Sequence, residues 1–278
     1  MSVAPDLARA SEVLARRGCV LGGALVLAEE TGSTNDDAKR GAREGAAHGA
    51  VWVAESQTLG RGRQGRAWLS PPGENLLFSV LLRLKCAPAR VPPVSLVVGL
   101  AVRDAVARAI GGEAGDDVLV KWPNDVMVRG PSGTLRKVAG VLVESALAGA
   151  KVEHVIVGIG INVNTRRLPE DVAEIATSVA IARGERGGPP LDLDRAEILA
   201  DVLEALGRDV ELVAHKGLAH LHARLIRYDA LAGRAVESLD GGLRGVASGI
   251  DVDGRLSIRT EDGTLVHVSS GEMRLRVS

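Results

Sequence analysis

The run VLVKWPNDVMVRGPSGTLRKVAGVLVESALAGAKVEHVIVGIGI, from Val118 to Ile161, decides the fold. Strand patterns cover Val118 to Trp122, Val126 to Val128, Val138 to Ser145 and Val152 to Ile161. The links between them are short, and Gly130-Pro131-Ser132-Gly133 and Gly149-Ala150 are turn chemistry. Parallel neighbours need a crossover of roughly a dozen residues or more, which these intervals do not hold. A mixed, largely antiparallel sheet is therefore expected, not a doubly wound one.

Upstream, Val51-Trp52-Val53-Ala54 and Leu76 to Leu84 read as two more strands, and Pro92-Pro93 opens a helix over Val94 to Ile110. Thr34-Asn35-Asp36-Asp37 can cap a helix over residues 36–46, and residues 5–17 have the period of a short helix. Downstream, Ala196 to Val213 and Leu218 to Ile226 are helical. Near Ala230 the texture changes to short alternating strands at Arg234 to Ser238, Leu243 to Ile250, Leu256 to Arg259, Leu265 to Ser269 and Met273 to Val277. Asp240-Gly241-Gly242, Asp253-Gly254 and Asp262-Gly263 supply hairpin turns between them. The expectation is an α+β unit over 1–229, its sheet flanked by helices, followed by a small C-terminal β-barrel over 230–278.

The chain has 278 residues, 46% of them hydrophobic and 25% charged, which is ordinary for a globular protein with a proper core. Its 34 Lys and Arg against 35 Asp and Glu leave a net charge of −1. A protein held on nucleic acid by counterion release carries a basic excess, so no DNA partner is expected. Aromatic residues at 2% are too few for a base-stacking platform. Cys19 and Cys86 cannot make a disulfide framework, which points to a reducing, cytoplasmic setting. The longest apolar stretch, Val91 to Val102, is too short to span a bilayer. Arg16-Arg17 ahead of Cys19 to Ala28 superficially resembles a twin-arginine signal, but Gly22 and Gly23 interrupt the run and it reads as a strand or loop.

Four segments could carry chemistry. Gly60-Arg61-Gly62-Arg63-Gln64-Gly65-Arg66-Ala67-Trp68 puts three arginines within six residues, with no acid among them and glycines that free the backbone to wrap a ligand. Arg forks with exposed N–H groups suit phosphate or carboxylate, and such a loop should repel itself when empty. Lys121-Trp122-Pro123-Asn124-Asp125 presents polar groups at a strand end. Lys137-Val138-Ala139-Gly140-Val141-Leu142-Val143-Glu144 starts an apolar strand with one of the chain's few lysines. Gly158-Ile159-Gly160-Ile161-Asn162-Val163-Asn164 lacks the third glycine and the following helix of a dinucleotide fingerprint. There is no GxxxxGK[ST] and no HExxH, and His215, His220 and His222 lack partners at metal-ligand spacing.

Together with Glu30-Thr31-Gly32-Ser33-Thr34-Asn35 and Glu55-Ser56-Gln57-Thr58, and in this order, these segments resemble biotin protein ligase. The resemblance is dense over about residues 29–165. It implies a fold like the class II aminoacyl-tRNA synthetases and biotin synthetases, with an SH3-like C-terminal barrel. It also implies a two-step reaction. Biotin and ATP, with Mg2+, give biotinyl-5′-AMP and pyrophosphate, and the biotinyl group then passes to one lysine of the biotin carboxyl carrier domain of a carboxylase.

Carried over residue by residue, Ser33, Thr34, Asn35 and Gln57 bind biotin, while Arg61, Gly62 and Arg63 fold over biotin and its adenylate. Lys137, with Arg63, is the expected catalytic cation, because a carboxylate and an α-phosphate must meet. Trp68 walls the adenine side, and Lys121, Asn124 and Asp125 support the nucleotide or its magnesium; no metal ligand is assigned with certainty. Some members carry an N-terminal winged helix-turn-helix. Only 28 residues precede Glu29, so a ligase-only chain is the expectation. A homodimer is left open. The rival reading is a lipoate or octanoate transferase of the same fold. An octanoyl transferase needs a catalytic cysteine, and neither Cys19 nor Cys86 lies in a fitting segment.

Overall fold

The computed structural model describes residues 3–111 and 114–275. Two short helices, α1 (Pro5–Ala8) and α2 (Ala10–Arg16), lead into β1 (Leu25–Thr31), α3 (Thr34–Arg43), β2 (Val51–Gln57) and β3 (Leu76–Leu82). The long α4 (Val94–Ile110) precedes a meander of β4 (Val118–Lys121), β5 (Asp125–Arg129), β6 (Leu135–Ala148) and β7 (Lys151–Ile161). Then come α5 (Glu170–Ala173), α6 (Val179–Gly184), α7 (Arg195–Lys216) and α8 (His222–Arg227). The chain ends in β8 (Ala235–Ser238), β9 (Arg244–Ile250), β10 (Leu256–Arg259), β11 (Leu265–Val268) and β12 (Met273–Leu275).

The first seven strands form one sheet in the order β1-β2-β3-β7-β6-β5-β4. Only β1 and β2 are parallel, joined through α3; every other neighbour is antiparallel. The mixed, largely antiparallel sheet expected from Val118 to Ile161 is what the chain builds. Strand periodicity assigns its two faces. Val155, Val157, Ile159 and Ile161 on β7 point into the main core, where α4 and α7 pack. Ile156 points the other way, into a small cluster with Leu81, Trp52, Ala38 and Ala42 beneath α3. Gly158 and Gly160 share that second face with Ile156. Beyond the edge of α3 the face is left to the functional site.

Several elements differ from the sequence reading, and the helix expected over Leu218 to Ile226 begins only at His222. Helix α3 starts at Thr34 rather than residue 36, because Ser33 at φ −162° is already the extended N-cap. It stops at Arg43, and Gly45 turns the chain with φ 90°. Between 165 and 195 the chain holds α5 and α6, too short to leave a periodic trace.

The N-terminal segment is part of the core. Leu7, Ala10, Val13 and Leu14 are buried, with α1 and α2 packed on α7. Asp6 and Glu55 both accept hydrogen bonds from the guanidinium of Arg195, which is 1% exposed. A buried charge is tolerable only when paired in this way, and two carboxylates and the Asn75 carbonyl serve this one.

The last five strands form an antiparallel sheet in the order β11-β10-β9-β8-β12, as an SH3-like barrel requires. The strand expected over Met273 to Val277 is seen to Leu275; its last two residues lie outside the described ones. This sheet abuts the first. Trp122 Nε1 donates to the Gly254 carbonyl at 3.0 Å, and Val120 pairs with the Tyr228–Ala230 backbone at the crossing.

Candidate active site

A cavity of about 250 Å³ opens on the second face of the large sheet. All twelve residues singled out from the sequence line it, brought in by five separate chain segments.

The start of α3 makes one wall with Ser33, Thr34 and Asn35, each under 5% exposed. The Thr34 N–H donates to Gln57 Oε1 at 2.8 Å, satisfying one of the orphan donors of a helix start. Thr34 Oγ1 lies 3.0 Å from the same oxygen. Ser79 Oγ lies 2.8 Å from Thr34 Oγ1 and 2.6 Å from Asn35 Oδ1. Asn35 Nδ2 donates to Glu144 Oε2 at 2.6 Å.

The arginine-rich segment forms an irregular hairpin over the cavity. Arg61 pairs with Ala67, and the N–H of Trp68 donates to the Gly60 carbonyl at 2.9 Å. The expected self-repulsion is offset by acceptors from elsewhere in the chain. Arg61 grips both oxygens of Asp36, one of them at 2.8 Å, and that guanidinium holds the Asp36 carboxyl below its usual pKa. Arg63 donates to Asn124 Oδ1 at 3.3 Å and to the Gly271 carbonyl at 3.1 Å. Arg66 pairs with Glu272. Two of the three arginines are thus held by the C-terminal unit, which also places Arg274 at the rim.

Three cation-bearing or acidic groups meet at the far end. Lys137 Nζ lies 2.7 Å from Asp125 Oδ1 and 5.3 Å from the centre of the Trp68 ring. Lys121 is partnered with Asp125 across the β4–β5 pair. Burial pulls the Lys121 ammonium below its ordinary pKa, Asp125 opposes this, and the nearby Lys137 adds to it. Lys137 thus pairs with Asp125, while Lys121 lies near both Asp125 and Glu272. Trp68 Nε1 is buried without a hydrogen-bond partner.

Several residues escape the sequence reading: Ser79 and Glu144 behind the wall, Asp36 under Arg61, Glu272 and Arg274 from the C-terminal unit, and Gly158 and Gly160 as site residues. Gly140 and Gly160 are cross-strand partners beneath the Trp68 indole. A Cβ at 160 would fall 2.6 Å from that ring, and one at 158 would overlap the Asn35 amide. Their signal is a pair of glycines two apart on one strand face, where a flat site is needed for something to lie against the backbone.

A family described as biotin/lipoate A/B protein ligase matches residues 27–162, and the biotin protein ligase C terminal domain matches 233–276. A biotin--[acetyl-CoA-carboxylase] ligase of Mycobacterium tuberculosis is 35% identical over 256 residues, covering 90% of this chain and 88% of that protein. The chain belongs to the biotin protein ligase family. The bifunctional ligase/repressor BirA of Escherichia coli is 35% identical over 230 residues, 82% of this biotin protein ligase and 67% of BirA. Among solved structures, the Aquifex aeolicus biotin protein ligase in complex with biotin and ATP superposes with a TM-score of 0.73 at 33% identity, covering 92% of this chain and all of that one. Among the described residues of this ligase no group of three or more His, Cys, Asp or Glu could hold a metal, and no helix is long and apolar enough to cross a membrane.

Proposed function

We propose that the cavity joins biotin to ATP as biotinyl-5′-AMP, and that the biotinyl group then passes to a lysine of a biotin carboxyl carrier domain. The enzyme is a biotin–[acetyl-CoA-carboxylase] type ligase, and the lipoate alternative gives way to the biotin-ligase relatives. The observation that carries the reading is that Lys137, Arg61 and Arg63 line one cavity with the wall built by Ser33, Thr34, Asn35 and Gln57.

The first step brings a carboxylate against an α-phosphate. Two anions approach only if fixed cations offset their repulsion, and the site supplies these already in place. Lys137 is assigned to the biotin carboxylate and then to the adenylate linkage. Arg63 is assigned to the phosphate, exchanging its neutral acceptors for a charged one. A carboxylate oxygen attacks the α-phosphorus, and pyrophosphate leaves with its bonding electrons. Trp68 lies over the glycine platform where a planar base can share the wall, and its free N–H seeks an acceptor. In the second step the neutral amine of the carrier lysine attacks the biotinyl carbonyl, AMP leaves with the electrons of the acyl–oxygen bond, and the amine's surplus proton passes to the departing phosphate or to water. The Arg61–Gly62–Arg63 hairpin keeps water from the mixed anhydride meanwhile.

Asp125 and Asn124 fit a magnesium held mostly by substrate phosphates, the usual habit of that ion. Asp125 Oδ1 makes no hydrogen bond beyond its ion contact with Lys137. Bound there, the ion would neutralise charge on the departing pyrophosphate.

We assign the catalytic unit to residues 1–229 and the barrel to 230–278. Two unpaired cysteines support a cytoplasmic setting, and the net charge of −1 supports the absence of a DNA partner. Strand β1, at the edge of the large sheet, offers a pairing surface for a homodimer.

Biotin-dependent exchange of labelled pyrophosphate into ATP tests the first step alone. Exchange that needs biotin supports the reading; exchange driven equally by lipoate or octanoate overturns it.

A further inference from the structure

The hydrogen bonds behind the biotin wall form a chain whose two ends have fixed polarity. At one end the Glu144 carboxylate can only accept, and it takes an N–H of Asn35 at 2.6 Å. At the other end the Thr34 backbone N–H can only donate, and it gives to Gln57 Oε1 at 2.8 Å. Between them lie the Ser79 and Thr34 hydroxyls, with Ser79 completely buried. Each terminus therefore fixes one side-chain amide. Asn35 turns its oxygen to Ser79 and its NH2 to Glu144, and Gln57 turns its oxygen to α3 and leaves its NH2 for other partners.

Lys39 Nζ holds the second Glu144 oxygen at 2.5 Å, and lies 3.5 Å from Asp36. Asp36 in turn carries Arg61. The carboxylate is thus held in place from the helix that bears Asn35. Glu144 itself does not line the cavity.

We propose that Glu144 is a positioning residue for biotin recognition. By taking one Asn35 N–H and leaving the amide oxygen to Ser79, it fixes the second N–H of that cavity-lining amide as the group offered to a ligand, a donor suited to a ureido carbonyl oxygen. The inference rests on the biotin-ligase reading above.

The test is Glu144→Gln in the full chain, with affinities for biotin and for 2-iminobiotin measured by calorimetry without ATP. In 2-iminobiotin a C=NH replaces the ureido carbonyl. The amide introduced by this substitution can donate as well as accept, so both orientations of the Asn35 amide become available. Biotin affinity should fall about tenfold, the scale of one hydrogen bond to a charged group. The preference for biotin over 2-iminobiotin should fall with it, while the KM for ATP stays within about twofold. General damage to the fold lowers both affinities alike and leaves their ratio intact. Ser79→Ala, which frees the other side of the Asn35 amide, should reduce the same ratio and stands in if the first variant does not fold. An unchanged ratio in the folded variants overturns the inference. Wild-type protein that fails to bind biotin at all overturns instead the reading on which it rests.

Discussion

The ammonium of Lys137 sits 2.7 Å from the carboxylate of Asp125 while facing the Trp68 ring at 5.3 Å. The residue is one-third exposed and its partner one-fifth, so the pair is wet enough for ligand to reach. An anion arriving in the cavity finds a cation already placed beside Asp125.

Lys137→Ala therefore should cost chemistry far more than folding. A partly exposed ion pair is worth about 0–1 kcal/mol to stability. Biotin-dependent pyrophosphate exchange should fall by about a hundredfold or more, the loss seen when one fixed charge is removed from a developing anion. Undiminished exchange by a folded variant contradicts the assignment.

Arg63→Gly removes the contacts of the hairpin to Asn124 and to the Gly271 carbonyl. The adenylate should form more slowly, on Lys137 and Arg61 alone, and escape. Bystander proteins mixed with the variant, biotin and ATP should become labelled on many lysines, as read by streptavidin blot. Labelling that remains confined to the carrier means that the hairpin does not act as the lid.

Gly160→Ala tests the glycine platform. A methyl group there meets the Trp68 indole at 2.6 Å and must expel it. The KM for ATP should rise about tenfold or more, as for the loss of an aromatic stacking contact, with biotin affinity little changed. A larger effect on biotin than on ATP shows that Trp68 serves the other substrate.

Legibility follows the length scale of the interaction. Helix α4 is legible at its observed ends, because seventeen residues of helix behind Pro92-Pro93 leave a periodic trace. All the cavity-lining groups chosen from the sequence come together, because motif residues of one site keep their order along the chain. Glu144 and Ser79 are not legible as site residues, although Glu144 stands in a quoted motif. A carboxylate that acts through a second side chain leaves no spacing of its own. Glu272 and Gly271 lie more than 200 residues from the arginines they hold, which no local pattern records. Self-repulsion of the arginine-rich loop is expected for the same reason, since its counter-charges come from α3 and from the approach to β12.

Asp229 gives a pH dependence. It lies at the crossing between the two sheets, where burial pushes its carboxyl up to about 6 from the ordinary 3.8, against the backbone N–H groups of Leu231, Ala232 and Ile250. The folded state thus holds a proton that the unfolded chain has released. Stability contributed by this group is full below 3.8 and is lost as pH rises through about 6. Asp229→Asn should flatten the denaturation midpoint over that window and gain relative stability above it. An identical pH profile in wild type and variant contradicts the assignment.

One cavity that joins biotin to ATP, for delivery to a carrier lysine, is the central claim. The most direct measurement is incubation of the full chain with biotin, ATP, magnesium and a biotin carboxyl carrier domain, followed by mass spectrometry of the carrier. The predicted result is one biotinyl addition at one lysine, dependent on ATP. An unmodified carrier, or a carrier acylated by lipoate in preference to biotin, contradicts it.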